Sequence, residues 1–172
     1  MAEQLNNGLF TTMVYKKLDI KNYINIKYSL DNVDYNVFYK RNTFKNFDVP
    51  RIMIVSYQPN PQASQITRMA IETIRKFTDS DYELWVIDNC SPKKNIGWMQ
   101  DYEDINLVFI RTQPKEIGSY ANGLALEVCS ELIDKESKYV VTFHLDIAVA
   151  GHGWLKFMLS KLNEKVRACG FR

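Results

Sequence analysis

Short apolar runs alternate with helical periods over the second part of the chain. Four runs are rich in β-branched and aromatic residues and suit strands that are buried on both faces. They cover residues 51–57, 83–88, 106–111 and 138–143. Between and after these runs, apolar residues recur at the spacing of amphipathic helices. These stripes run from Ile66 to Phe77, from Ala121 to Leu132 and from Leu155 to Val166. Ahead of the first stripe, Asn60-Pro61 predicts a helix cap followed by proline at the first helical position. Alternating strands and helices predict right-handed crossovers and a mainly parallel α/β sheet.

A different pattern precedes this alternation, because residues 1–48 are rich in Asn, Lys and Tyr. Two β-prone runs flank the pair Asp31-Asn32, which predicts a β-hairpin. We therefore divide the chain into an N-terminal β-hairpin extension, residues 1–48, and an α/β domain, residues 49–172. The hairpin either covers an edge of the sheet or contacts a second subunit, in which case the chain forms a homodimer through it.

Composition narrows the possible functions. The 172 residues are 46% hydrophobic and 24% charged, which is ordinary for a soluble globular protein. The 22 basic and 20 acidic residues give a net charge of only +2, which does not indicate binding to nucleic acid or to an anionic membrane. No apolar run approaches the ~20 residues of a membrane span, so we expect no transmembrane segment. The three cysteines are far apart and form no CxxC motif, so we expect a cytoplasmic protein without disulfides.

Polar residues follow three of the four predicted strands. They are Ser56, Tyr57 and Gln58 after the first strand, Asp88 and Asn89 after the second, and His144 and Asp146 after the fourth. In an open parallel sheet the carboxyl ends of all strands lie on one edge, and ligands bind there. We therefore expect Tyr57, Asp88 and Asp146 to line one pocket. Taken singly, each has a structural alternative: Asp88 turns the chain, Asp146 caps a turn, and Tyr57 is a core aromatic.

A glycine before the second helical stripe is a further candidate. Gly118 stands at the start of Gly-Ser-Tyr-Ala-Asn-Gly. A glycine at the start of a helix lets backbone N–H groups face an anion such as a diphosphate. The segment is neither GxGxxG nor a Walker loop, so an ordinary helix start is the alternative.

Taken together, these segments resemble the family 2-type glycosyltransferases of the GT-A fold. Residues 52–57 look like the opening strand of that family. Residues 84–91 are similar to its second strand, which ends in Asp-Asp or Asp-Asn followed by a small residue and Ser. Residues 139–146 stand where these enzymes carry their DxD motif, and residues 150–155 resemble the Trp-Leu segment that follows. The resemblance covers residues 50–162.

The resemblance implies a three-layer, mainly parallel sheet of GT-A or Rossmann-like type that binds a nucleotide-diphosphate sugar, with UDP, GDP or dTDP as the nucleotide. The nucleotide-binding residues are then Ser56, Tyr57, Gln58, Asp88, Asn89 and Gly118. It also implies that Asp146, with His144, binds Mg²⁺ or Mn²⁺, which stabilises the charge of the diphosphate leaving group. The expected function is metal-assisted glycosyl transfer to an unidentified acceptor.

Two departures from the family pattern keep a second interpretation open. His144 replaces the first Asp of the DxD motif, and a single carboxylate holds a metal weakly. The family places its acceptor site and catalytic base beyond the position of Arg172, so we expect a C-terminally truncated domain and assign no catalytic residue. His152 is interpreted as a loop residue. The alternative function is a non-catalytic nucleotide-sugar-binding or structural α/β domain.

Overall fold

The computed structural model describes residues 16–170 and has an α/β fold, as the sequence predicts. Its strands are β1 (Ile24–Leu30), β2 (Val33–Lys40), β3 (Arg51–Ser56), β4 (Glu83–Asn89), β5 (Ile105–Ile110) and β6 (Val140–His144). Its helices are α1 (Pro61–Phe77), α2 (Lys93–Ile96), α3 (Ser119–Leu132) and α4 (Trp154–Leu159). A 3-10 helix, Gly97–Asp101, follows α2 directly.

The strands form one mixed sheet in the order β1-β2-β5-β4-β3-β6. Strand β3 pairs in parallel with β4 and β6, and β4 pairs in parallel with β5. Strand β2 is antiparallel to β5, and β1 is antiparallel to β2. The predicted mainly parallel sheet is therefore corrected to a mixed one. The reason is that the hairpin adds its two strands to the open edge of β5, which would otherwise expose unpaired backbone groups.

The predicted hairpin is present between β1 and β2. Leu30 pairs with Val33, so that Asp31 and Asn32 alone form the turn. Both turn residues have positive φ, 50° and 63°, as a two-residue hairpin of type I′ requires. The hairpin covers an edge of the sheet, which is one of the two roles expected from the sequence. Residues 1–15 of the predicted extension lie outside the described part of the chain.

Helix α1 begins as the sequence predicts. The side-chain oxygen of Asn60 accepts the backbone N–H of Ala63 at 2.9 Å, and Pro61 occupies the first helical position. The apolar stripe buries Ala70, Ile71 and Ile74 against the sheet.

The last predicted helix is shorter than its apolar stripe. Helix α4 ends at Leu159, whereas the stripe continues to Val166. Asn163 explains the difference, because its side-chain oxygen accepts the backbone N–H groups of Lys165 and Val166, both at 2.9 Å. This local turn competes with helical hydrogen bonding. His152 lies in the loop before α4, as predicted, and its ring pairs with Asp79, which also accepts the backbone N–H of Gly153.

Two clusters of buried apolar side chains lie on opposite faces of the sheet. Alternate residues of β3 point to opposite faces. Ile52 and Ile54 belong to the cluster with α1 and α4. Met53 and Val55 belong to the cluster with α3. Burying one such side chain stabilises the fold by about 1.5–3 kcal/mol, so β3, which is buried along its whole length, anchors both faces.

A buried ion network closes the amino-terminal edge of the parallel strands. Arg51 and Glu83 are both fully buried, with Arg51 Nε 2.6 Å from Glu83 Oε2. Arg41 and Asp134 complete the network around them. The network fixes the first residues of β3 and β4. Because the two strands are parallel, their carboxyl ends lie together at the opposite edge of the sheet.

Candidate functional site

The strand register aligns the predicted site residues at one edge of the sheet. Ser56 pairs with Asp88 across β3 and β4, and Val55 pairs with His144 across β3 and β6. Strands lie about 4.8 Å apart, so the backbones of Asp88 and His144 are about 10 Å apart across β3. The carboxyl ends of β3, β4 and β6 thus meet at one edge, where Asp146 follows β6 by two residues.

Ser56 and Gln58 lie inside this edge and are fully buried. The backbone N–H of Gln58 donates to Ser91 Oγ at 2.7 Å, and Asn95 Nδ2 donates to the Gln58 carbonyl at 2.8 Å. Gln58 Nε2 donates to Ser56 Oγ at 2.8 Å, while Trp98 Nε1 donates to Gln58 Oε1 at 3.2 Å. Every polar group of Gln58 is therefore used to hold the segment after β3 against the segment after β4.

Asp88 is fully buried in the same cluster, with one carboxylate oxygen satisfied and one not. Its Oδ2 accepts the backbone N–H of Ser91 at 3.0 Å and Arg111 Nη1 at 3.3 Å. Its Oδ1 has no hydrogen-bond partner among residues 16–170. Burial raises the pKa of this carboxyl group to about 6, because the hydrogen bonds from Ser91 and the charge of Arg111 offset only part of the desolvation.

Asp88 also turns the chain, which is the alternative role that the sequence analysis gives for this residue. Cys90 has a φ of 63°, a left-handed conformation that brings Ser91 back towards the Asp88 carboxylate. The two interpretations of Asp88 are compatible, because the turn uses only Oδ2. An unpaired oxygen on a buried carboxylate needs an explanation, and a ligand that donates a hydrogen bond would supply one.

Asn89 lies on the other face of the sheet, since neighbouring strand residues point to opposite faces. Its Nδ2 donates to the carbonyl of Ala121 in the first turn of α3 at 2.6 Å. Its Oδ1 has no partner within the described residues, although Asn89 is only 5% exposed. Gly118 precedes α3 with a φ of 73°, and open space surrounds the position of a Cβ atom there. The predicted nucleotide set is therefore divided between the two faces, with Asn89 and Gly118 beside α3.

Tyr57 is 47% exposed and stands in the chain between the fully buried Ser56 and Gln58. The alternative that Tyr57 is a core aromatic is therefore wrong. An exposed ring at the rim of a buried polar cluster is available for stacking.

His144 and Asp146 are also exposed, and the backbone N–H of Ile147 donates to the His144 carbonyl to close the turn between them. In residues 16–170, no group of three or more His, Cys, Asp or Glu side chains is arranged to hold a metal ion. One imidazole and one carboxylate do not make a metal centre of their own. Any cation at this position would depend on oxygen atoms supplied by a ligand.

Arg111 and Trp98 are not among the site residues predicted from the sequence, and Ser91 is included there only as part of the family pattern. Arg111 follows β5 directly and donates to both the Asp88 carboxylate and, at 2.8 Å, the Ser91 carbonyl. Arg111 is the last residue of the third predicted run, 106–111, whereas β5 ends at Ile110 and leaves Arg111 at its carboxyl end. Applying the same rule to β5 would have found Arg111.

One cavity of the described part of the chain lies away from these residues. Its volume is about 220 Å³, and it opens at the amino-terminal edge, beside the buried ion network. It is lined by Thr43, Lys45, Ser80, Asp81, Tyr82, Leu84 and Asp104. None of Tyr57, Asp88 and Asp146, which the sequence predicts to line one pocket, belongs to this lining.

Comparison with known proteins finds no matching family model, no similar curated protein and no similar solved structure. Among residues 16–170, no helix combines the length and apolar character needed to cross a membrane.

Proposed function

We propose that the chain is the nucleotide-sugar-binding part of a glycosyltransferase of the GT-A type, with its site at the carboxyl edge of β3 and β4. The strand order supports this proposal. The parallel strands run β5-β4-β3-β6, so the chain adds strands in one direction from β3 and then crosses to the other side of β3. A reversal of this kind is the switch point at which open α/β sheets bind their ligands.

The single observation that carries the proposal is the unpaired Oδ1 of buried Asp88, at the sheet edge where the exposed Tyr57 follows β3. In the proposed complex, Tyr57 stacks on the base. Asp88 Oδ1 accepts an N–H or O–H group of the base or ribose in a charge-assisted hydrogen bond. On the other face, the Asn89 Oδ1 accepts a hydroxyl group, and the backbone after Gly118 faces the diphosphate.

Transfer of the sugar to an acceptor is the expected reaction, and we assign no catalytic base. His144 and Asp146 are too few to hold a metal by themselves, so no step is assigned to a cation. The predicted requirement for Mg²⁺ or Mn²⁺ stays a prediction. The second candidate function is nucleotide binding without turnover. The closed hydrogen-bond network of Ser56 and Gln58 favours it, because those two side chains have no free group to offer a substrate.

Thermal unfolding of the whole chain with UDP, GDP or dTDP, each with and without Mn²⁺, tests the proposal. A nucleotide at about 100 times its dissociation constant should add about 2.7 kcal/mol to the free energy of unfolding. The gain should be lost in Asp88→Ala and kept in Asp81→Ala, which alters an exposed carboxylate at the opposite edge. Hydrolysis of a donor sugar would separate turnover from binding alone. The proposal is wrong if no nucleotide stabilises the protein.

A further inference from the structure

Arg111 lies at the carboxyl end of β5, where the hairpin holds its backbone. The N–H of Arg111 donates to the carbonyl of Asn36 at 2.8 Å, which continues the pairing of β2 and β5 by one residue beyond Ile110. The N–H of Asn36 in turn donates to Thr112 Oγ1 at 2.9 Å. The hairpin therefore fixes the backbone from which the Arg111 side chain extends.

The guanidinium group of Arg111 joins the segment after β5 to the segment after β4. Its Nη1 donates to the Ser91 carbonyl at 2.8 Å and to Asp88 Oδ2 at 3.3 Å. The N–H of Ser91 donates to the same carboxylate oxygen at 3.0 Å. Two donors from different segments thus hold Oδ2, which restricts rotation of the carboxylate. Oδ1 is left as the oxygen without a partner among residues 16–170.

Arg111 also brings a positive charge to a buried carboxylate. Asp88 is in register with Ser56 on β3 and with Phe109 on β5, and neither of these side chains titrates. Burial raises the pKa of the neighbouring Cys90 thiol above its usual value, so this group is uncharged at neutral pH. Desolvation raises the pKa of Asp88, and among residues 16–170 the positive charge that counteracts it is that of Arg111. An arginine side chain stays charged over the whole pH range in which proteins are folded.

We propose that Arg111 is a positioning residue of the candidate site, which holds Asp88 so that Oδ1 is offered to the ligand in its charged form. The identity of the ligand rests on the proposed function, whereas the ion pair itself does not depend on a ligand. A charge-assisted hydrogen bond is about twice as strong as a neutral one. Nucleotide affinity should therefore fall when Asp88 becomes protonated, and Arg111 sets the pH at which this happens.

The titration of Asp88 tests the ion pair without a nucleotide. Its carboxyl carbon signal in the NMR spectrum, assigned by its absence from Asp88→Asn, should titrate with a midpoint of about 6 in the wild type. Arg111→Gln should raise this midpoint by about one pH unit or more, because a neighbouring opposite charge lowers the pKa of a carboxyl group by about 1–3 units. Arg111→Lys keeps the charge and should return the midpoint towards the wild-type value.

Arg75→Gln is the matched control, because Arg75 pairs with Asp104 and should leave the titration of Asp88 unchanged. Equal midpoints in the wild type and Arg111→Gln would overturn the proposal. A measurement on the wild type covers the case in which Arg111→Gln does not fold. The guanidinium nitrogen signals of Arg111 should shift with the same midpoint as Asp88, since Nη1 donates to the titrating group, and should not do so in Asp88→Asn. Arg111 signals that do not respond to pH in the wild type would also overturn the proposal.

The pH profile of nucleotide binding separates positioning from a purely structural role. In the wild type the dissociation constant, measured by calorimetry with UDP, GDP and dTDP, should rise by about tenfold between about pH 7.5 and pH 5. In Arg111→Gln the rise should occur at higher pH, following the titration of Asp88. Weaker binding by an equal factor at every pH would contradict the positioning role. Absence of binding by all three nucleotides would overturn the proposed function, and with it the assignment of a ligand to Oδ1, whereas the titration of Asp88 would still decide the ion pair.

Discussion

Replacing Asp88 by asparagine should raise the free energy of unfolding, relative to the wild type, by more at neutral pH than at acid pH. The carboxyl group of Asp88 is fully buried, and desolvation raises its pKa from 3.8 to about 6. The folded protein thus holds this proton more tightly than the unfolded chain does. As pH rises through this range, the folded state must either keep the proton or bury a charge. The stability contributed by the protonated group is therefore lost as pH rises towards 6.

The size of the effect follows from the shift in pKa. The folded and unfolded values differ by about two units, and each unit corresponds to about 1.4 kcal/mol of free energy. The penalty is absent below about pH 4, where both states are protonated. It grows between about pH 4 and pH 6 and reaches about 3 kcal/mol above that range. Asparagine has the same shape but does not titrate, so the variant escapes this penalty.

Urea unfolding of the wild type and Asp88→Asn at pH 4 and pH 7.5 measures the prediction. The free energy of unfolding of the variant, minus that of the wild type, should rise by about 3 kcal/mol between the two pH values. Any fixed cost of the new amide group cancels in this comparison, as do the other titrating groups. Asp81→Asn, in which the carboxylate is exposed, should show no such rise. A difference that does not change with pH would refute the argument that Asp88 is buried without full compensation.

Three further predictions concern the fold. Gly97→Ala should destabilise the protein by about 1–3 kcal/mol in urea unfolding, because the added methyl group would overlap backbone atoms of Lys16 and Lys17. Gly123→Ala, in open space on α3, should instead stabilise the protein by up to about 1 kcal/mol. Glu83→Gln should cost about 3–5 kcal/mol by the same measurement, because it removes the buried carboxylate that pairs with both Arg51 and Arg41, and Asp134 alone then balances the two guanidinium groups. Asn60→Ala should cost about 1 kcal/mol and lower the melting temperature, since α1 loses its cap. Equal stability of any of these variants and the wild type would contradict the corresponding contact.

Local signals in the sequence predicted the elements whose causes are local. The cap at Asn60 and the turn at Asp31-Asn32 act through neighbours within a few residues, and both are present as expected. The end of α4 was predicted wrongly although its cause is also local. The apolar stripe continues to Val166, but the side chain of Asn163 accepts backbone N–H groups in a local turn that ends the helical path.

Features that depend on distant residues could not be predicted in the same way. The pairing of the hairpin with β5 joins segments about 70 residues apart. The hydrophobic periodicity of a strand does not indicate which other strand it pairs with. The burial of Gln58 depends on Ser91, Asn95 and Trp98, which fold over it from the segment after β4. A polar residue after a strand can serve a ligand or hold a loop, and only the hydrogen-bond partners distinguish the two.

The same distinction makes Asp88 the most informative residue of the candidate site. Gln58 is buried with all of its polar groups satisfied, so protein architecture alone explains it. Asp88 is buried with one oxygen unpaired and at a cost of about 3 kcal/mol at neutral pH. The turn to Ser91 needs only one acceptor oxygen, which asparagine would provide without a charge. A carboxylate that the fold does not require, placed one strand from the switch point between β3 and β6, is therefore better explained by a ligand than by the turn.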